Sequence, residues 1–117
     1  MTVEVVVYTG DLIFSSKISS TGTAVNVPVR VVRGVGDLAP GATLLLVDLE
    51  ADGAIEAIER CRTMLPTPRI VAFGPHVRDD LFTAAREAGA DEVLARSALV
   101  TRLPALLQGS SGSTGER

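Results

Sequence analysis

Asp48 follows four consecutive apolar residues, Leu44, Leu45, Leu46 and Val47. A carboxylate in that position can hold a divalent cation, accept a transferred group or pair with a base. Its company decides which. A second acid, Asp11, stands after Thr9-Gly10 at the end of an earlier apolar run. Mg²⁺ is commonly held by one or two carboxylates with water and phosphate oxygens, so Asp11 and Asp48 form a minimal pair if the fold joins them. A base within reach would neutralise Asp48 instead, and Arg96 and Lys17 are the candidates. His76 is the only histidine and Cys61 the only cysteine. The chain thus lacks partners for a histidine-activated nucleophile, a thiolate metal site or an internal disulfide. Cys61 reads as a small hydrophobe on a helix.

A short, uninterrupted apolar run reads as a strand buried on both faces, which belongs in a parallel sheet covered by helices. In such sheets chemistry gathers at the carboxyl ends of the strands, where Asp48 would stand. The elements that must position it follow in order. Val3 to Tyr8 is strand-like, and Asp11 is suited to cap a helix from Asp11 to about Ala24, with Phe14, Ile18, Thr21 and Val25 inward. Val27 to Val32 is a second strand, which Pro28 confines to a sheet edge. Gly34 to Gly41 leaves room for a turn or two of helix at most. After the strand Thr43 to Val47 comes a helix opening at Asp52 or Gly53, with Ile55, Ile58, Cys61, Arg62 and Leu65 as its inner face. Pro66-Thr67-Pro68 ends it and leads into the strand Arg69 to Phe73. Arg78 to Ala88 is a helix with Leu81, Phe82 and Ala85 inward, closed by Gly89. Glu92 to Ala95 is a fifth strand and Arg96-Ser97 a loop. A last helix runs from Leu99 to Leu107, started late or kinked by Pro104.

Five strands alternating with helices predict an α/β fold: a doubly wound, five-stranded parallel sheet of flavodoxin-like order 2-1-3-4-5. The 117 residues, 46% of them hydrophobic, suffice for one domain over 1–108. The glycine- and serine-rich 109–117 reads as a flexible tail or the stub of a linker. The net charge of −3, with acids and bases interspersed, argues against nucleic acid as a partner. With Trp absent and only Tyr8, Phe14, Phe73 and Phe82 as aromatics, no base-stacking platform is expected either. No apolar run approaches the roughly 20 residues that span a bilayer. The amino terminus lacks a basic segment followed by a cleavable apolar core, and a cytoplasmic location without membrane contact is expected.

In order and spacing the chain resembles the receiver domains of two-component response regulators, the phosphoacceptor modules of bacterial signalling. The resemblance covers Val3 to Leu107. It rests on the apolar strand ending at Asp48, on the strand Arg69 to Phe73 after a proline-containing turn, and on Ala85-Arg86-Glu87-Ala88-Gly89-Ala90-Asp91-Glu92-Val93-Leu94. This last passage is similar to the family's AxxAGAxxhL pattern. The resemblance implies an acidic pair ending strand one, an acceptor aspartate ending strand three, Ser or Thr ending strand four and Lys ending strand five. The acids would hold Mg²⁺ against the transferring phosphoryl group, and the hydroxyl and ammonium would bind its oxygens.

Laid onto this sequence, the acceptor is Asp48. The acidic pair falls on Thr9 and Gly10, the hydroxyl on Gly74 and the lysine on Arg96, which keeps the charge but not the compact ammonium. Ser97 replaces the family's cis-proline, and Val93 its aromatic switch residue. The expectation is a degenerate pseudo-receiver: a non-enzymatic signalling module that works through protein contacts, independent of phosphorylation and without a cofactor. An Asp48–Arg96 pair would imitate a permanently set receiver. The alternatives are an active phosphoacceptor with Mg²⁺ on Asp11 and Asp48, and a small-ligand or anion binder at the strand-end rim. Candidate rim contacts are Asp11, Ser15, Lys17, His76 and Ser97. By the resemblance, a protein partner or a second copy would dock over roughly Asp80 to Leu103.

Overall fold

The five apolar runs become five parallel strands in the computed structural model, which describes residues 4–109. They are β1 (Val5–Tyr8), β2 (Val29–Val32), β3 (Leu44–Asp48), β4 (Arg69–Gly74) and β5 (Glu92–Ala95), hydrogen-bonded in the order 2-1-3-4-5. β2 pairs with β1 alone, at the edge that Pro28 predicts. The helices are α1 (Leu12–Ala24), α2 (Ala54–Arg62), α3 (Asp79–Ala88) and α4 (Arg96–Gly109). Between β2 and β3 there is only a 3-10 turn, Val35–Asp37, so Leu38 and Ala42 cover the sheet there. Residues 110–117, with most of the expected tail, lie outside the described residues; Gly109 ends α4.

Strand residues alternate between two cores. Val6, Tyr8, Leu45, Val47, Ile70 and Ala72 pack toward Ala57, Ile58 and Cys61 of α2 and Ala85 of α3. Val5, Val7, Leu44, Leu46, Val71 and Phe73 pack toward Phe14 and Ile18 of α1 and Leu99, Leu103 and Leu107 of α4. β3 is buried along its whole length, the consequence of helices on both faces. One tether crosses a layer: the Tyr8 hydroxyl donates to the Asp52 carbonyl at 2.7 Å. The left-handed Gly53 (φ 78°) leaves that hydroxyl room, because a Cβ there would stand 2.8 Å from it.

Several boundaries differ from expectation. α2 ends at Arg62, so Leu65 falls beyond it and is 85% exposed, and Arg62 faces water; Ala54 and Ala57 join Ile58 and Cys61 on the inner face. No loop separates β5 from α4, because Arg96-Ser97 already forms its first turn. Pro104 neither delays nor ends α4, and it lies on the exposed side.

α1 is joined to β2 at very close range. The Val27 amide donates to the Gly22 carbonyl at 2.8 Å, and a Cβ on Gly22 would lie 2.4 Å from the Val27 oxygen. Gly22→Ala gains about 1 kcal/mol of helix propensity. The backbone clash outweighs it, and a net loss of about 1–2 kcal/mol is expected. Urea denaturation reads this, and an unchanged midpoint would mean that the α1–β2 connection is slack.

Across β4, β5 and α4, Glu92 accepts from Arg69 at 3.0 Å and from both amino groups of Arg102. The Arg102 hydrogen bond, followed by the charges of Arg102 and Arg69, holds the Glu92 carboxyl below its usual range. The folded pKa is the lower one. The stabilisation is thus full above the unfolded carboxyl value, about 4.3, and is lost as pH falls through the folded one. Glu92→Gln should cost up to about 1 kcal/mol at neutral pH. The gap to the parent should close in acid, measured as urea midpoints across a pH series.

Candidate functional site

Strand register accounts for the first contact of the site. β1 and β3 pair Val5 with Leu44 and Val7 with Leu46, so two residues further on Thr9 comes level with Asp48. β3 and β4 pair Asp48 with Phe73. The three share the parity that faces α1 and α4. The Thr9 hydroxyl donates to Asp48 Oδ2 at 2.7 Å, with both residues buried. That hydroxyl also accepts the Asp11 amide at 3.1 Å, which turns the chain into α1. Asp11 then caps the helix, its Oδ1 accepting the Phe14 amide at 3.0 Å.

Asp48 Oδ1 has two further donors. The Glu50 amide reaches it at 3.0 Å and Arg96 Nη2 at 3.3 Å. The same Nη2 lies 3.2 Å from Glu50 Oε1, and Arg96 Nη1 lies 3.8 Å from Asp11 Oδ2. One guanidinium therefore stands among three carboxylates. It rests on aromatic rings: its central carbon is 4.5 Å from the Phe14 ring centre and 5.4 Å from that of Phe73. The two rings are 5.1 Å apart and tilted against each other. A planar, weakly hydrated guanidinium suits both the stacking and the forked hydrogen bonding, which an ammonium would not. Arg96 is mostly covered, its side chain 29% exposed, and Asp48 is almost wholly so, at 4%. Among the described residues, no group of three or more His, Cys, Asp or Glu is arranged to hold a metal ion.

The other candidates divide. Gly10 is next to the site with open space where a side chain would be, and Gly74 is buried at the end of β4 against Leu49. His76 and Ser97 line an open groove beside Arg96, together with Phe14, Pro75, Ala95 and Val100. Lys17 is exposed on α1 and forms no ion pair with Asp48 among the described residues. Ser15 is no rim contact: it is buried, and its hydroxyl donates to the Leu12 carbonyl at 3.1 Å. Val93 packs half-buried on the opposite core. Glu50, Phe14 and Phe73 are site residues that motif reading passes over. Strand parity could have found Phe73, two residues past Val71 on the face of Asp48.

No protein-family model matches the sequence, and no curated protein matches it. Solved structures do. A CheY-like response regulator receiver domain from Methanospirillum hungatei JF-1 superposes with a TM-score of 0.76 at 12% identity, over 95% of this chain and 98% of that one. The beryllofluoride-activated receiver domain of DrrB, from Thermotoga maritima, gives 0.78 at 16% identity, again over 95% and 98%. The phosphorylated cyanobacterial phytochrome response regulator RcpA gives 0.66 at 15% identity, over 93% and 91%. With its strand order and with Asp48 at the carboxyl end of the central strand, this chain has the fold of a response regulator receiver domain.

Proposed function

We propose that this chain is a receiver-like signalling module that acts through protein contacts in the cytoplasm, is not an enzyme, and does not use Asp48 as a phosphoacceptor. One observation carries the reading: the Arg96 guanidinium already makes, to Asp48, Glu50 and Asp11, the contacts that a bound cation would make. Mg²⁺ requires a near-ideal octahedron of oxygens. Here Thr9 and Gly10 supply no carboxylate, and both oxygens of Asp48 have protein donors. Asp11 and Glu50, the other carboxylates at hand, are engaged as well, by the Phe14 amide and by Arg96, so the ion would have to displace the guanidinium. Attack by Asp48 on a phosphoryl group would also require Oδ1 to give up an ion pair and a backbone hydrogen bond, or Oδ2 to give up the buried Thr9 hydroxyl. After transfer, Gly74 has no hydroxyl to receive a phosphoryl oxygen. Arg96 thus serves as a permanent internal counter-ion and holds the strand ends in one arrangement.

The test is exposure to acetyl phosphate, and separately to beryllofluoride, each with Mg²⁺. Intact mass should show no adduct, and amide resonances from Asp48 to Ala51 should not move. Shifts around Asp48 that vanish in Asp48→Ala would establish the active phosphoacceptor instead.

A further inference from the structure

The groove beside Arg96 has a composition of its own. It is open and about 650 Å³ in volume, within the range of small-molecule sites. Phe14, Pro75, Ala95 and Val100 make its walls largely apolar, and Arg96 and His76 line it with them. None of the carboxylates of the Asp48 site does. Arg96 is only partly satisfied by those carboxylates. A guanidinium has five N–H donors and no acceptor. Nη2 donates to Asp48 Oδ1 at 3.3 Å and to Glu50 Oε1 at 3.2 Å. Nη1 stands 3.8 Å from Asp11 Oδ2, close enough to attract it but beyond a hydrogen bond. Nε has no acceptor among the described residues. Three N–H groups of a side chain only 29% exposed thus lack a protein acceptor. The His76 side chain, in the loop after β4, likewise makes no hydrogen bond or ion pair among the described residues.

Donors without acceptors beside an apolar wall call for a ligand that is mostly hydrocarbon and carries an oxygen. We propose that this groove binds an uncharged, flat aromatic compound whose carbonyl oxygen accepts from the Arg96 guanidinium. Charge decides the class. Arg96 already faces Asp11, Asp48 and Glu50. A ligand carboxylate would bring a fourth negative charge to one guanidinium and be repelled by the other three. A cation would meet Arg96 as a like charge and find no carboxylate lining the groove. A neutral carbonyl takes up the spare donors and escapes both penalties. Shape decides the rest: Phe14 and Pro75 present rings, against which a rigid aromatic buries its surface and loses little rotational freedom. The exposed His76 imidazole, able to donate or accept, suits a second polar group on the same ligand. An occupant would touch the first turn of α4, and with it the residue that holds Asp48. The inference rests on the groove, not on whether Asp48 accepts a phosphoryl group.

Chemical-shift titration of the full chain, labelled with nitrogen-15, with the aryl ketone 1-acetonaphthone tests it. Saturable shifts are expected at the amides of His76, Ala95, Ser97 and Val100, with a dissociation constant of about 0.1–1 mM for a ligand of this size. The acid of the same ring, 1-naphthoate, should bind about fivefold more weakly or worse. Arg96→Met should weaken the ketone by about fivefold or more, the effect of a lost hydrogen bond. Thr101→Trp, at an exposed position lining the groove, should fill it and abolish the shifts while the melting temperature stays as in the parent. Thr83→Trp, exposed on α3, should leave the constant unchanged. No saturable shift up to the solubility limit would overturn the inference. So would shifts that survive Thr101→Trp or are lost in Thr83→Trp, an affinity indifferent to Arg96→Met, or naphthoate binding as tightly as the ketone. Acetyl phosphate labelling of the same samples separates a failure here from a failure of the Asp48 reading.

Discussion

Asp48→Ala should lower stability by about 2–4 kcal/mol, read from urea denaturation at neutral pH. The carboxylate is buried and accepts from the Thr9 hydroxyl, the Glu50 amide and Arg96. Removing it strands those donors, and each buried group left without an acceptor costs about 1–3 kcal/mol. Losing one partner of a fully buried ion pair costs about 3–5 kcal/mol. That figure is discounted here because Arg96 is partly solvated and retains Glu50 and Asp11. Arg96→Met separates the ion pair from the rest. In a double-mutant cycle with Asp48→Ala, the two losses should fall short of additive by about 1–2 kcal/mol. The sign of the single change is the sharper result. An acid cluster held ready for a cation repels itself, and deleting one member would leave stability unchanged or improve it. A neutral or stabilising Asp48→Ala would therefore remove Arg96 as the resident counter-ion.

Phe73→Ala should be more damaging, at about 3–5 kcal/mol. Its ring is fully buried beneath α1 and α4, packs on Phe14 and underlies the Arg96 guanidinium. Truncation both opens a cavity and removes part of the shelf that fixes Arg96. Total stability for a domain of this kind is about 5–15 kcal/mol, so this single change could approach its limit. Phe73→Leu distinguishes the two contributions. It keeps most of the apolar volume and should cost about 1–1.5 kcal/mol, with about 0.5–1 kcal/mol of that from the lost cation–π contact. Equal losses in both variants would mean that the aromatic face matters and the volume does not.

The five strands, their order and the edge position of β2 were legible because each has its own local signature: an unbroken apolar run, a proline, a glycine-rich break. The Asp48–Arg96 contact could be named beforehand as one alternative, since the resemblance sets those positions near each other. Its setting could not. Arg96 reaches the site along a side chain whose path depends on Phe14 and Phe73, residues with no chemistry of their own. Glu50 enters because the chain turns immediately after β3. A serine reads as exposed, whereas the Ser15 hydroxyl is satisfied by its own helix and the residue is buried. Arg96-Ser97 differs for a related reason: a polar pair after a strand suggests a connection, and here it is already the helix.

That direct passage from β5 into α4 has a mechanical consequence. A strand joined to a helix by several residues can stay still while the helix tilts, because the joint absorbs the rotation. Here no residue is free to do so, and the first residue of α4 is the one that holds Asp48. A rotation of α4 would therefore turn the Arg96 backbone with it and move the guanidinium paired with Asp48 at the end of β3. The joint acts as a crank, not a hinge.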